Sequence, residues 1–200
     1  MAAINLGDTN QNKLGLVNRC LQAIGEAPLP PGTIPSEFPL GSDTQIASSI
    51  VDDTWLEVLN RGWWFNTHLN FSMLPDIDGF IAFPSSLLRI DSNTTRGRYI
   101  KKNGLLYDRI ENTFIFDKAV ILDVVWLTGY SDLPISAYEY IATRAARKYQ
   151  QKVIGAAEMA TPLMQEEGDA LINLQRENSQ YLDVSLLDSN VSNRYINPRR

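Results

Sequence analysis

Histidine and cysteine, the side chains that most often carry metal or nucleophilic chemistry, each occur once in this chain, as His68 and Cys20. A Ser-His-Asp triad would have to use His68, and no G-x-S-x-G elbow is present to supply its nucleophile. The sequence also lacks an H-E-x-x-H pair, a phosphate-cradling G-x-x-x-x-G-K-[ST] loop and a calcium loop with its acidic ladder. A lone cysteine excludes an internal disulfide and argues against a zinc cluster. Cys20 lies beside a helical apolar stripe and reads as a small buried residue rather than a reactive thiol. Asp52 and Asp53 invite a glycosidase reading, which needs two carboxylates at a set separation in a cleft. Neighbours on a helix point in different directions, so with Glu57 they read as a solvated face. No catalytic residue, metal ligand or cofactor site is therefore assigned, and the chain reads as an interaction protein.

The elements that would have to position any such residues can be read from hydrophobic periodicity. Leu14, Val17, Leu21 and Ile24 fall on one stripe and predict a first helix over 12–24. Residues 27–41 contain prolines at 28, 30, 31, 35 and 39, which makes this stretch an extended connector or an arm to a neighbouring subunit. Ser42-Asp43-Thr44-Gln45 has the pattern of a capping box. The second helix it opens has Ile46, Ala47, Ile50, Val51, Trp55, Val58 and Leu59 on its apolar face. That helix ends at Arg61-Gly62-Trp63-Trp64-Phe65, where the period changes from helical to alternating. Gly62 is placed to leave the helix through a left-handed conformation, and the aromatic triplet anchors the first strand beyond it.

From Trp63 to Tyr130 the period is two, predicting five to seven mostly antiparallel strands. Phe65, Thr67, Leu69, Phe71 and Met73 alternate until Pro75-Asp76. Short strands are expected at 80–83, 87–91, 114–116 and 120–127. Asn103-Gly104, between Arg98–Lys102 and Leu105–Asp108, predicts a hairpin with a type I′ turn. Helical spacing then returns. Ser136-Ala137-Tyr138-Glu139 suggests a second capping box. Tyr138, Ile141, Ala142, Ala145, Tyr149 and Val153 line one face, with Arg144, Arg147, Lys148 and Lys152 on the other. That basic face is read as exposed or as awaiting an acidic partner. A last helix is expected from between 157 and 161 to about Leu182. The fold class is thus α+β: a four-helix bundle, two helices before and two after an inserted antiparallel β region. The domains are 1–61 with 131–182 for the bundle, 62–130 for the β domain, and 183–200 for a C-terminal tail.

Twenty-three acids against eighteen bases give a net charge of −5. This balance disfavours a dedicated nucleic-acid grip, which normally presents a basic face, but suits a wall that nucleic acid slides past. No basic-then-apolar leader and no run of membrane-spanning length is seen, so synthesis in a reducing cytoplasm and no membrane association are expected. The tail is polar, yet it carries Val184, Leu186, Leu187, Val191, Tyr195 and Ile196 beside Arg194, Arg199 and Arg200. Such a segment suits ordering on a partner, with apolar side chains in grooves and arginines against acids.

The motifs Val17-Asn18, Ile24-Gly25-Glu26-Ala27-Pro28 and Arg61-Gly62-Trp63-Trp64-Phe65-Asn66 come first in a longer series. Leu74-Pro75-Asp76, Tyr107-Asp108-Arg109 and Asp132-Leu133-Pro134 come next. Ala145-Ala146-Arg147-Lys148-Tyr149, Gln165-Glu166-Glu167 and Asp169-Ala170 complete it. In this order, across roughly residues 14–175, the chain resembles the tail tubular protein A family of short-tailed bacteriophages, the head-to-tail adaptors. The resemblance implies a structural virion protein of the tail, made in the host cytoplasm. It implies a twelvefold homo-oligomeric ring joining the portal protein to the tail nozzle protein. Genomic DNA would pass through its channel during ejection without specific binding. The last fifteen or so residues match nothing in the family, so a docking role for Leu186, Leu187, Val191, Arg194, Tyr195, Arg199 and Arg200 is read from their own pattern; by the resemblance the partner is the portal, with adjacent subunits as the alternative. The competing reading is a virion-associated hydrolase acting on cell-envelope polysaccharide.

Overall fold

A computed structural model describes residues 6–91, 97–155 and 160–188. The fold is α+β, with four α-helices and five strands among these residues. It divides into two compact units, one of 1–57 with 129–200 and one of 58–128.

In the first unit, α1 (Leu6–Gln22) and α2 (Asp43–Leu59) precede α3 (Ile135–Val153) and α4 (Ala160–Asp188). The last two residues of α2 belong with the second unit. Helix α3 packs against both α1 and α4. That explains why its buried set is wider than the single stripe predicted: Ala137, Tyr140, Ile141, Ala142, Thr143, Ala145, Ala146, Tyr149 and Gln150 are all buried. The alanines let a neighbouring helix approach closely on each side, while Val153, expected in the core, is exposed. Leu14, Leu16, Val17, Cys20 and Leu21 of α1, Ala47, Ile50 and Val51 of α2 and Leu174 of α4 are buried in the same unit. Helix α1 begins six residues before the predicted start and ends two before the predicted end.

The capping motif at Ser42 forms with one change. Gln45 N donates to Ser42 Oγ at 3.2 Å, but the Gln45 side chain accepts from Gly41 N at 2.8 Å rather than from Ser42. The Ser42 amide donates instead to Pro39 O. The second predicted capping box does not form. Helix α3 starts at Ile135 with Pro134 as N-cap, so Ser136 already lies inside the first turn and its hydroxyl donates to Glu177 of α4. The proline-rich connector is pinned to α1 by one side chain: Asn18 Nδ2 donates to Leu29 O at 3.2 Å and Leu29 N donates to Asn18 Oδ1 at 2.8 Å. It contains a single 3₁₀ turn, Pro35–Glu37.

In the second unit, β1 (Thr67–Met73), β5 (Val120–Trp126) and β2 (Leu87–Asp91) form an antiparallel sheet with β5 central. Strands β3 (Tyr99–Lys102) and β4 (Leu105–Asp108) form a separate hairpin. Asn103 (φ 54°) and Gly104 (φ 76°) make its turn, both in the left-handed region that a type I′ turn requires. Met73, Ile81, Phe83, Leu87, Leu106, Val120, Leu122 and Val124 build the core of this unit. The stretches at 80–83 and 114–116 form isolated bridges, Phe80 with Ile115 and Ala82 with Leu105, instead of the strands predicted there. The alternation predicted for β1 also breaks. Asn70 takes φ 54° and donates its amide to Asp123 Oδ1 at 2.8 Å, the register shifts between His68 and Phe71, and Leu69 is left exposed. Among the described residues, no helix is long and apolar enough to cross a membrane.

Candidate interaction surface

Three of the four basic residues of α3 meet acidic partners within the same chain, while Lys152 in the last turn is exposed. Arg144, Arg147 and Lys148 stand at spacings of three and four and so share one side of the helix. Glu57 of α2 accepts from Arg144 and, at 2.6 Å, from Lys148 Nζ. Glu167 of α4 accepts from Arg144 Nη1 at 2.7 Å and from Arg147 Nε. Arg144 therefore joins three helices. Burial of Glu167 pushes its carboxyl pKa up, but the hydrogen bonds from Arg147 and then Arg144 outweigh this and hold it below the usual carboxylate range. The hydrogen bond from Lys148 is the largest influence on Glu57, and with Arg144 it lowers that carboxyl as well. These cations are engaged, so the face is not a free grip for phosphate.

The acidic face of α2, read as solvated, is exposed at Asp53 and Glu57 but paired at Asp52 and Glu57. Asp52 accepts from Lys13 Nζ at 2.7 Å and from the Tyr130 hydroxyl at 2.6 Å, and Tyr130 stacks on Trp55 with centroids 4.6 Å apart. Glu57 is held as described, and Asp53 alone of the three is an exposed acid with no partner among the described residues. The two neighbouring aspartates do diverge, and they do not form a carboxylate pair.

Beside this network, α1, α3 and α4 enclose a groove of about 570 Å³. Ile135 is 82% exposed and, with Ala170, gives the groove apolar surface. Glu139, Glu166, Asp169 and Glu177 line it with carboxylates, and Arg19 is its one lining base among the described residues. Arg19 pairs with Glu166 at 3.1 Å, and Glu177 takes the Ser136 hydroxyl. Glu139 and Asp169 meet no cation among the described residues. The groove thus offers an apolar floor with an anionic rim.

The junction residues predicted from the period change lie together in the second unit. Gly62 takes φ 78°. Arg61 O accepts from Arg89 Nη2 at 3.1 Å. The Trp63 indole is buried and donates to Val58 O at 2.8 Å, while Trp64 and Phe65 meet edge to face at 5.1 Å. The residue that sequence reasoning missed here is Asn66, 1% exposed, which links this turn to Leu59 and Trp126. Its only signal was its place directly after the aromatic triplet. Of the predicted tail residues, Leu186 and Leu187 lie in the last turn of α4, six residues of which extend past the expected end at Leu182. Val191, Arg194, Tyr195, Arg199 and Arg200 lie outside the described residues.

His68 is exposed on β1, with its ring centroid 6.4 Å from that of Phe71 and 6.2 Å from that of Trp126. Cys20 is fully buried, and burial pushes its thiol pKa up to about 12. No group of three or more metal-ligating side chains is brought together among the described residues.

A family model described as Tail tubular protein matches residues 14–184, a span that includes parts of both units. The chain is also similar to Tail tubular protein A of Klebsiella phage KP34, with 29% identity over 130 residues, which covers 65% of this chain and 67% of the relative. With helices on either side of an antiparallel strand region and a match running from α1 through most of α4, the chain belongs to the tail tubular protein family.

Proposed function

We propose that this phage tail protein is the head-to-tail adaptor, a closed ring of twelve copies that joins the portal to the tail nozzle and lines the DNA channel. The observation that carries the reading is the family match over residues 14–184. A ring of identical copies needs two different surfaces on each subunit, because its interfaces are head to tail. In this reading the helical domain, 1–61 with 131–182, and the β domain, 62–130, supply them. Leu74, Ile77 and Ile115 of the β unit expose apolar side chains that an intersubunit contact would cover. The net charge of −5 suits a wall that must not hold passing phosphate. The tail, 183–200, serves as a docking element for the portal or for a neighbouring subunit.

The reading assigns no catalytic residue. In support, of the two neighbouring aspartates that invite the hydrolase reading, Asp52 is engaged by Lys13 and by the Tyr130 hydroxyl, and only Asp53 stays exposed without a partner among the described residues. Mass photometry and negative-stain imaging of the purified chain, with and without portal, test the proposal. The expected particle is a ring of about 270 kDa, twelve times the 22.5 kDa subunit. A chain that stays monomeric and does not join portal overturns it. Cleavage of envelope polysaccharide, abolished by one acid substitution in a folded variant, would replace it with the hydrolase reading.

A further inference from the structure

The groove between α1, α3 and α4 has the chemistry of a receptor for a basic segment with apolar side chains. Its rim carries Glu139 and Asp169, which have no cation against them among the described residues, and Ile135 exposes most of its surface among the lining residues. An extended peptide with one or two apolar anchors between positive charges fits such a surface, the anchors covering the floor and the charges meeting the rim.

The chain itself contains such a segment. From 189 to 200 there are three arginines and no acid, and Tyr195-Ile196 lies between Arg194 and Arg199. The course of α4 decides which groove this segment can approach most directly. Glu167 pairs with Arg144 and Arg147, and Glu177 meets Ser136, so α4 runs antiparallel to α3 and reaches its first turn at Glu177. Helix α4 then continues to Asp188, eleven residues or about 16 Å beyond the start of α3. This extension carries the chain past the end of its own groove. Returning to it would require the chain to reverse direction after Asp188 and run back along α4.

We propose that residues 189–200 of one copy seat in the groove between α1, α3 and α4 of the neighbouring copy, with Tyr195 and Ile196 over the floor and the arginines against Glu139 and Asp169. This rests on the ring reading and names one of its head-to-tail contacts. It makes the groove the receiving surface of each subunit and the α4 extension the delivering one.

Two measurements on the full chain test it. In the first, Tyr195→Cys and Asp169→Cys chains carrying tags of different size are mixed, assembled and oxidised. Cys20 is fully buried and does not compete. A disulfide joining the two tagged chains, and absent from either variant alone, is expected. In the second, reversal of the three arginines (Arg194→Glu, Arg199→Glu, Arg200→Glu) should weaken association by about tenfold or more, and Glu139→Lys with Asp169→Lys should do the same. Combining the two sets should restore most of it. If rings form but no cross-link appears and the combined variant is not restored, the arm proposal falls and the ring reading stands. Cross-links found only within doubly substituted single chains would show that the segment folds back on its own groove, which also overturns the proposal. A chain that never assembles removes both readings.

Discussion

The side-chain amide of Asn66 donates to the Leu59 carbonyl at the end of α2, at 3.0 Å, and also to Trp126 O at 2.9 Å. Asn66 Oδ1 accepts from Trp63 N at 2.8 Å. One buried side chain thus satisfies a helix-end carbonyl, a strand-end carbonyl and a turn amide that water cannot reach. Asn66→Ala should leave the Trp63 amide unpaired and take one hydrogen bond from each carbonyl, although Leu59 O keeps its bond from Gly62 N, and should destabilise the second unit by about 2 kcal/mol or more. Asn66→Asp should be comparably damaging, because it sets a carboxylate against two carbonyl oxygens. Urea denaturation followed by tryptophan fluorescence measures both, and a loss under about 1 kcal/mol would contradict the assignment.

Gly62 combines a left-handed backbone with lack of space. A Cβ there would lie 3.0 Å from Val125 Cγ2, 3.1 Å from Arg89 Nη2 and 3.2 Å from Thr67 Oγ1. Gly62→Val should therefore cost well over ~1 kcal/mol, since strain at positive φ adds to crowding. Gly104 has a similar φ of 76° with nothing within 4 Å of a Cβ, so Gly104→Asn should be close to neutral. Thermal melts of the two variants check both expectations; a Gly62→Val protein with an unchanged melting temperature would contradict the assignment.

Acid should weaken the ion-pair network in a defined direction. The folded-state pKa values of Glu167 and Glu57 are lowered, so their contribution is present above the unfolded carboxylate pKa of about 4.3 and is lost as pH falls through the folded values. Stability should be nearly flat in this respect from neutral pH to about 5 and then decline. Glu167→Gln should lower stability near neutrality and flatten the acid limb, whereas Glu57→Gln, at a more exposed position, should do less. A Glu167→Gln protein with the parent's acid limb would remove the network from the explanation.

Alkali should act through Cys20 with the opposite sign. Its folded pKa is raised to about 12, so the buried neutral thiol contributes fully below the unfolded value near 9 and the contribution is lost as pH rises through the folded one. Burial, then the Asp52 carboxylate, likewise raise the pKa of Tyr130 above the ordinary phenol value. Cys20→Ala should reduce the loss of stability between about pH 9 and 10, before phenols ionise. Chemical denaturation at a series of alkaline pH values reads this out; identical limbs for the variant and parent would place the loss elsewhere.

Much of this architecture was legible in the chain because local rules act on neighbours. The period change at Gly62, the I′ turn at Asn103-Gly104 and the start of α2 at Ser42 each depend on a few adjacent residues, and all three stand in the structure. The stripe of Leu14, Val17 and Leu21 and the buried, unreactive setting of Cys20 come from helical spacing alone. Sequence order and motif spacing carried the family as well. Partnership over long separations was decided only by the tertiary fold. Glu57 looked solvated because its cations stand 87 and 91 residues away, and the basic face of α3 looked unpartnered because Glu167 lies on another helix. Ser136 faces α4 rather than capping α3, and Asn70 breaks the alternation of β1 to reach Asp123, 53 residues on. Periodicity reports which side of an element is apolar. Which charged side chains then find each other depends on where the packed helices and strands bring them, and that is a property of three dimensions.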